Sequence, residues 1–182
     1  MNIAKKSEQA PESILCWTVL AIGIATAAFT IFLIIRSYTP VLYVDQWSFI
    51  HYLLLHKTLP LQWFWAQHNE HRLPILKVLE LMDLYWFGGH NILLLALSIC
   101  VVTVHVCYLL DIVQRLGDLP APQTRLLAGA AAFCLFCPNQ WATLVFGFAL
   151  HMLIAYCSAS IAIGSLILYW QSKYEGVANA NL

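Results

Sequence analysis

The sequence predicts an all-α, polytopic integral membrane protein with about four transmembrane helices, and three observations support this fold class. Hydrophobic residues make up 61% of the chain and charged residues only 10%, with a mean hydropathy of +0.73. Residues 14–35 and 92–110 lack Asp, Glu, Lys and Arg, and about 20 apolar residues cross a bilayer core of ~30 Å. Residues 126–170 are uncharged as well, and at ~1.5 Å per residue they are too long for one crossing. This third run must therefore turn back.

The uncharged runs divide the chain into segments of predicted location. These are an N-terminal cytoplasmic tail (1–13), a first span (14–35), an extracytoplasmic loop (36–90), a second span (91–113), a cytoplasmic loop (114–125), the third and fourth spans (126–171) and a C-terminal tail (172–182). The third run breaks best at Pro138-Asn139-Gln140, because proline removes a hydrogen-bond donor and clashes with the preceding turn. Residues 126–137 are short for a full span, so a turn near Gly147 is the alternative.

The basic residues favour one orientation of these crossings. Four of them lie in the long loop 36–90, where positive charge has less influence on orientation than it has in short loops. Five others flank the shorter segments and define a cytoplasmic face: Lys5, Lys6, Arg115, Arg125 and Lys173. All six cysteines lie in apolar stretches, so no disulfide framework is predicted. The scattered charges give no footprint for nucleic acid.

The loop 36–90 is a polar and aromatic island between the apolar runs, and it predicts amphipathic helices that lie along the membrane. Residues 42–57 and 72–87 place apolar side chains at helical spacing beside polar ones, a pattern typical of helices in the headgroup plane. Residues 59–65 contain two tryptophans, which prefer the same boundary. Gly88-Gly89 is expected to end the third of these helices. Lys77 and Glu80 are three residues apart and can pair across a helical turn.

Two short stretches of the island have side chains suited to catalysis. Asp45 follows the first span closely, so its carboxylate can act as a general base on a hydroxyl or hold a divalent cation; a solvated acid or a helix cap is the alternative. In His68-Asn69-Glu70-His71-Arg72, Glu70 and His71 can ligate a metal, and Arg72 can bind phosphate through two hydrogen bonds. A plain surface turn explains these five residues equally well.

The apolar runs contain three further groups of interest. His105 and His151 can ligate haem iron, although a hydrogen bond to a neighbouring carbonyl is the expected role of each. Cys134-Leu-Phe-Cys137 is a Cys-x-x-Cys, which can be redox-active, and apolar packing is the alternative. Asn139-Gln140-Trp141 either lines a cavity on the side of the island or satisfies backbone groups at the turn.

An apolar first helix, an acid within Tyr43-Val44-Asp45-Gln46-Trp47 and two membrane-lying helices resemble the start of a GT-C superfamily glycosyltransferase. More narrowly, Asp45-Gln46-Trp47, His68-Asn69-Glu70-His71-Arg72 and Pro138-Asn139-Gln140-Trp141 are similar to large bacterial membrane proteins related to mannosyltransferases and aminoarabinose transferases. The resemblance implies transfer of a sugar from a polyprenyl-phosphate donor to an extracytoplasmic acceptor at the bacterial inner membrane. Such enzymes are much longer and have more spans, so the chain is expected to be an N-terminal portion or a fragment, inactive by itself.

The resemblance also implies roles for individual residues. Asp45 is the catalytic acid of the first loop, and Glu70 supplies the second carboxylate, because Gln46 and Trp47 stand where the family has its second acid. The implied substrate-binding residues are His71, Arg72, Lys77, Asn139 and Gln140. A divalent cation, Mg²⁺ or Mn²⁺, would be held by Asp45, Glu70 and His71. The expected partners are the lipid bilayer, the lipid-linked sugar donor and further transmembrane segments or a partner subunit, without nucleic acid.

Two other functions fit the same sequence. Four-span disulfide oxidoreductases have this size and a Cys-x-x-Cys near a membrane face, and Cys134 and Cys137 would then be the reactive pair. The other alternative is a non-enzymatic membrane protein that assembles with a partner, in which Asp45, Glu70 and Arg72 tolerate substitution. Small residues that allow close helix packing support this alternative: Gly129, Ala130, Ala131, Ala132, Gly147, Ser158, Ala159, Ala162 and Gly164.

Overall fold

The computed structural model describes residues 3–42, 46–56, 58–68, 71–117 and 119–180, and the side chains of those between 14 and 173. Almost all of these residues are helical. The α-helices are α1 (Ile3–Ser37), α2 (Gln46–Leu55), α3 (Leu61–Trp65), α4 (Pro74–Phe87), α5 (Ile92–Gly117), α6 (Ala121–Leu135), α7 (Trp141–Val145) and α8 (Leu150–Ala180). Short 3₁₀ turns cover Pro138–Gln140 and Gly147–Ala149, and the two strands are β1 (Gln67–His68) and β2 (His71–Arg72).

Three of the described helices contain a stretch long and apolar enough to cross a membrane. These stretches are Ile14–Ser37 in α1, Ile92–Gly117 in α5 and Gly147–Lys173, which includes the N-terminal part of α8. Only 17%, 22% and 11% of their residues are buried within the protein, so lipid can cover most of their surface. The membrane protein expected from composition is consistent with this result, whereas the predicted fourth crossing is not confirmed.

The third apolar run does not form two long helices, which explains why a fourth crossing is not confirmed. Its first helix, α6, has 15 residues, which span only about 22 Å at ~1.5 Å per residue. Between Leu135 and Leu150 the chain forms two 3₁₀ turns and the five-residue α7. Pro138 begins the first of these turns and Gly147 begins the second. Both positions that the sequence offered for the break therefore lie within one irregular connection.

The polar island contains the helices that its periodicity predicts. α2, α3 and α4 form within the predicted segments 42–57, 59–65 and 72–87. Pro74 occupies the first turn of α4, where its missing N–H costs nothing because that donor would be unpaired anyway. Gly88 follows Phe87 in the left-handed conformation, with φ of 67°. The prediction that Gly88-Gly89 ends this helix is confirmed.

One element departs from the predicted all-α class. β1 and β2 form a minimal antiparallel hairpin in which His68 pairs with His71 and Gln67 pairs with Arg72. The sequence left this stretch as a possible surface turn, and the structure shows two residues of strand at Gln67–His68 and two at His71–Arg72. The fold class is therefore all-α apart from one short hairpin.

The chain forms two compact units. The first comprises the described parts of 1–30, 102–138 and 155–182, and the second those of 31–101 and 139–154. In the first unit, α1 meets α6 without side chains between the backbones: a Cβ added to Gly23 would lie 2.8 Å from Gly129 Cα. Thr30 Oγ1 donates a hydrogen bond of 2.5 Å to the Phe136 carbonyl. Close backbone approach and isolated hydrogen bonds are how helices associate in lipid, where water supplies no hydrophobic drive.

α5 and α8 meet within the first unit in a similar way. His105 Nε2 lies 2.8 Å from Ser160 Oγ, and the Tyr108 hydroxyl donates to the Ile161 carbonyl at 3.0 Å. Gly164 leaves the space that the Tyr108 hydroxyl fills, because a Cβ there would lie 2.2 Å from it.

The second unit has a hydrophobic core of the kind found in soluble proteins. Its buried members are Phe49, Trp63, Leu73, Leu76, Leu94, Phe148 and Leu150. Phe49 meets Trp63 and Phe148 edge-on, with ring centroids 5.8 and 6.3 Å apart. Gly147 packs so tightly on Leu94 that an added Cβ would lie 2.9 Å from the Leu94 Cβ. This core fixes α2, α3, α4 and the start of α5 around the polar groups described next.

Candidate functional site

Five polar side chains are buried in the second unit. Ser98 donates to the Leu94 carbonyl within its own helix, and the other four lie beside the hydrophobic core. They are Gln46, Lys77, Asp83 and Asn91, each between 2% and 5% exposed. Burial of a polar group costs free energy unless the group is hydrogen-bonded. The hydrogen-bond partners therefore show which of these groups have a structural role and which are available for chemistry. We call Gln46, Lys77, Glu80, Asp83 and Asn91 the polar cluster.

The side chain of Asp83 caps the N-terminus of α5. Its two carboxylate oxygens accept hydrogen bonds from the backbone N–H groups of Asn91 and Leu93, each at 2.7 Å. Both groups lie at the N-terminus of α5, where backbone donors have no helical partner and negative charge is favoured. Asn91 itself has a φ of 60°, a conformation that asparagine tolerates better than most residues. Asp83 therefore joins the end of α4 to the start of α5.

Lys77 has a structural role that the sequence did not reveal. Its ammonium donates hydrogen bonds to the carbonyls of Trp63 and Ala66, at 2.7 and 2.8 Å, and lies 5.0 Å from the centre of the Trp63 ring. The predicted ion pair with Glu80 is wrong, because the two carbonyls at the end of α3 take the lysine instead. Burial lowers the pKa of Lys77, and the charge of Glu80 opposes this shift.

Glu80 is the least well-paired member of the polar cluster. Both carboxylate oxygens are shielded from solvent, and among the described residues only the Gln46 amide offers them a hydrogen bond, outside the geometry of a well-formed one. Burial raises the pKa of Glu80 to about 8. The nearby Asp83 adds to this rise, while the Gln46 amide and the Lys77 ammonium oppose it. A carboxyl with such a pKa carries its proton at neutral pH.

Glu80 lines a small cavity whose volume is about 20 Å³. The other four members of the polar cluster line it too, together with apolar side chains that include Phe49, Trp63 and Leu94. A space of ~10–15 Å³ is enough for one water molecule. The cavity therefore has room for about one water next to the Glu80 carboxyl.

A larger cleft adjoins this cavity. Gln46 Nε2 donates a hydrogen bond of 2.5 Å to Asn91 Oδ1, and these two residues line both the small cavity and a cleft of about 450 Å³. Trp141 and Phe146 give the cleft an aromatic wall, and the short polar side chains of Ser37, Thr39 and Thr143 line it as well. Largely apolar clefts with a few polar groups are typical of ligand-binding sites.

The hairpin histidines pack against aromatic residues of the 139–154 segment. The His68 ring lies 5.4 Å from the rings of both Phe49 and Phe148. Its Nε2 is buried and makes no hydrogen bond with any described residue. His71 is exposed, and its ring lies 6.3 Å from that of His151. The hairpin is thus tied to the core through His68, while His71 remains accessible.

Arg72 and Lys77, both expected to meet a phosphate, have different surroundings. Arg72 is exposed and lines an open depression with Trp65 and Gln62. Lys77 is 4% exposed, so reaching a phosphate would require it to leave its two carbonyl partners. Of the two cations, Arg72 is the one available to a ligand.

The remaining predicted site residues are not gathered in one place. Asp45 and Glu70 lie outside the described residues, so their predicted roles stay predictions. Asn139 and Gln140 are exposed in the 3₁₀ turn that precedes α7, and they do not line the cleft, although Trp141 does. The described residues contain no group of three His, Cys, Asp or Glu side chains suited to a metal. The predicted Mg²⁺ or Mn²⁺ site therefore depends on Asp45 and Glu70.

The histidines and cysteines of the apolar runs have ordinary local environments. His151 Nδ1 lies 2.6 Å from the Phe148 carbonyl, which confirms the role expected for it, and His105 bonds to the Ser160 hydroxyl instead. Cys134 is exposed and Cys137 is partly exposed, and both are free of disulfides. They lie at the C-terminal end of α6, where the helix dipole does not favour a thiolate.

Sequence reasoning missed the polar cluster, although a signal for it exists. Lys77, Glu80 and Asp83 follow one another at intervals of three, so they lie along one stripe of α4. Leu73 and Leu76, buried in the core, precede that stripe. Where a stripe of charged residues continues a stripe of buried apolar ones, the charged residues are expected to be buried too. The amphipathic pattern alone instead places Lys77, Glu80 and Asp83 on the polar side of an interfacial helix.

Comparisons of this chain with protein-family models, with curated proteins and with solved structures found no match.

Proposed function

We propose that this chain is the N-terminal part of a membrane glycosyltransferase of the bacterial inner membrane, which transfers a sugar from a polyprenyl-phosphate donor to an extracytoplasmic acceptor. One observation supports this proposal most. Gln46 and Trp141 belong to two separate motifs of the GT-C resemblance, and both line the cleft of about 450 Å³. The third motif is nearby in the same unit, since His68 packs on Phe148. Three motifs far apart in the sequence therefore belong to one compact unit.

The proposed reaction is a direct displacement at the anomeric carbon of the donor sugar. The acceptor oxygen forms a bond to this carbon, the bond from the carbon to the phosphate oxygen breaks, and polyprenyl phosphate leaves. Asp45 takes the proton of the acceptor hydroxyl as general base, with Glu70 as the second carboxylate. Arg72, the accessible cation, stabilises the charge that develops on the leaving phosphate. The proposal needs no step through a metal.

The proposed topology has four crossings, with the loop 36–90 on the extracytoplasmic side. α1, α5 and α8 supply three of them. For the fourth we propose α6 together with the irregular segment that follows it, because α6 alone is shorter than the bilayer core. Irregular backbone at membrane depth is tolerated where it lines a cavity, and Phe146, which lies between α7 and the second 3₁₀ turn, lines the cleft.

The donor site can be tested by binding of polyprenyl phosphate to the chain in lipid nanodiscs. We expect the wild type to bind it and Trp141→Ala to bind about tenfold more weakly, since a large aromatic wall of the cleft is lost. Trp170→Ala is the matched control, because Trp170 is a similarly exposed tryptophan of α8 outside the cleft. Equal weakening in both variants, or no binding by the wild type, would contradict the donor site.

The chemical step is tested separately through Asp45. In cells that carry the intact gene, Asp45→Asn is expected to lower sugar transfer by roughly 10²–10⁴-fold, the usual contribution of a general base. Donor binding should persist, because the substitution changes charge and hardly changes shape. Undiminished transfer would show that Asp45 is not the base.

A partner-binding membrane protein is the second candidate, and one observation favours it. Gly129, Gly147 and Gly164 are used for packing within the chain, whereas Ser158, Ala159 and Ala162 on α8 are exposed. This small-residue face permits close approach of another helix. Ala159→Leu should abolish assembly with a partner if this function is correct, and it should leave polyprenyl phosphate binding unchanged if the transferase proposal is correct.

The thiol oxidoreductase alternative has a simple test. Thiol trapping in cells would find Cys134 and Cys137 oxidised if they are a redox pair, and reduced if they are packing residues.

A further inference from the structure

The formal charges of the polar cluster sum to −1 if Glu80 is ionised. Among the described residues that line the cavity, the titratable side chains are Lys77, Glu80 and Asp83, all on α4. α2 contributes the neutral amide of Gln46, α3 contributes Trp63 and the start of α5 contributes Leu94. The positive charge of Lys77 balances the negative charge of Asp83. A second carboxylate would therefore add an uncompensated charge in a buried site, which is far more costly than a neutral acid.

The hydrogen bonds lead to the same conclusion. Asp83 accepts two backbone N–H bonds, which only an ionised carboxylate can do with both oxygens at full strength. The two carbonyl oxygens that accept from Lys77 favour its ammonium form, because the negative ends of their dipoles face the nitrogen. Glu80 receives no backbone N–H bond from the described residues, and its oxygens are shielded from solvent. Of the two acids on this stripe of α4, the structure stabilises the charge of Asp83 more than that of Glu80.

We propose that the cavity around Glu80 is a proton-binding site, in which its carboxyl holds one proton while the cavity is closed and releases it to water when the Gln46–Asn91 hydrogen bond opens toward the cleft. The route follows from the geometry, because Gln46 and Asn91 line both spaces. On opening, the O–H bond of the carboxyl breaks, the proton passes to water, and the carboxylate becomes hydrated. A ligand that occupies the cleft and engages these amides would change the proton affinity of the site. This inference is independent of the proposed transferase activity.

Infrared spectroscopy of the chain in nanodiscs tests the proton directly. A protonated carboxylic acid has a carbonyl band that a carboxylate lacks, and an ordinary Asp or Glu, with a pKa near 4, gives no such band at pH 7. We expect the wild type to show this band at pH 7 and to lose it as the pH rises through about 8. The band should be absent in Glu80→Gln and present in Asp111→Asn, which changes an exposed acid.

The infrared titration of the wild type tests whether the site holds a proton, even if Glu80→Gln fails to fold. A protonated carboxyl at pH 7 in the wild type supports it, and Glu80→Asp then assigns the band by shifting its frequency. A wild type without any protonated carboxyl at pH 7 overturns the proposal.

The opening route is tested by the rate at which the carboxyl proton exchanges with deuterium. Asn91→Gly removes one of the two amides, keeps the N–H that Asp83 accepts, and suits the φ of 60°. We expect exchange to accelerate by roughly tenfold or more, because water then reaches the cavity without local opening. Gln123→Ala is the control, since Gln123 is an exposed amide that lines neither space. Exchange at the wild-type rate in Asn91→Gly would rule out this route.

Discussion

The two compact units of this chain differ in which polar groups they bury and how those groups are paired. In the first unit, helices meet through glycines and single hydrogen bonds, such as Gly23 against Gly129 and His105 with Ser160. In the second unit, an aromatic core surrounds an ammonium and two carboxyl groups. Lipid is the natural surrounding of the first arrangement, because each helix pairs its own backbone groups. The second arrangement places titratable side chains next to a cavity and a cleft.

The comparison shows where function is expected in a protein this apolar. Stability in the first unit comes from fit between backbones, so its polar side chains serve to join helices. Stability in the second unit depends on the buried charges of Lys77 and Asp83, whose partners lie at the end of α3 and the start of α5. A site whose protonation state is set by its surroundings is a common feature of functional centres. The predictions below begin with the effects that would most change this comparison.

The largest effect is expected for Lys77→Met. The side chain keeps its length, but two carbonyls lose their donor and Asp83 is left as a buried charge without a cation in the cavity. Breaking such a buried arrangement costs about 3–5 kcal/mol. Chemical unfolding in micelles measures this loss of the free energy of unfolding. Lys173→Met, which changes an exposed lysine, should cost no more than about 0.5 kcal/mol; equal losses would mean that Lys77 is not part of a buried cluster.

The second prediction concerns pH. Burial raises the pKa of Glu80 from 4.5 to about 8, so between these values the folded protein keeps a proton that the unfolded chain has lost. The stabilisation is complete below pH 4.5 and disappears as the pH rises through 8. We expect the free energy of unfolding to fall by up to roughly 5 kcal/mol across this window.

A matched pair of variants assigns that pH dependence. Glu80→Gln should flatten the dependence between pH 5 and 8, because the amide is neutral throughout. Asp111→Asn should leave the dependence unchanged, since Asp111 is an exposed partner of Arg115. If the free energy of unfolding of Glu80→Gln still falls between pH 5 and 8, a group other than Glu80 is titrating.

The third prediction tests the packing of the first unit. A Cβ at Gly129 would lie 2.4 Å from the Val19 carbonyl oxygen, so Gly129→Val must push α6 away from α1. Overpacking of this kind costs about 1–3 kcal/mol. Ala130→Val is the control, because Ala130 is exposed. Comparable stability of the two valine variants in micelles would show that the α1–α6 contact is not close.

The smallest effect is expected for Ser160→Ala. It removes the hydroxyl that bonds to His105 across α5 and α8, and hydrogen bonds between membrane helices contribute about 0.6 kcal/mol on average. Ser158→Ala on the exposed side of α8 should have no measurable effect. A loss as large as that of Lys77→Met would remove the contrast between the two units.

Much of the local structure could be predicted from the sequence, and particular residues show why. The uncharged runs mark α1, α5 and α8, because only helices satisfy their own backbone in lipid. Gly88-Gly89 marks the end of α4 through its positive φ values. The count of crossings was not confirmed, because hydropathy does not show that α6 stops at Leu135. The strands Gln67–His68 and His71–Arg72 were not predicted, because two residues are too few to show the alternating pattern of a strand.

The sequence alone determined that the chain is helical, apolar enough for a membrane and polar in one island, since these properties follow from composition and spacing. Only the tertiary structure decided which charges of that island are buried. Asp83 and Glu80 have the same chemistry and lie on the same stripe of one helix, yet one accepts two backbone N–H bonds and the other accepts none. The pKa of a carboxyl depends on burial and on such neighbours, and neighbours are set by how α2, α3, α4 and α5 pack.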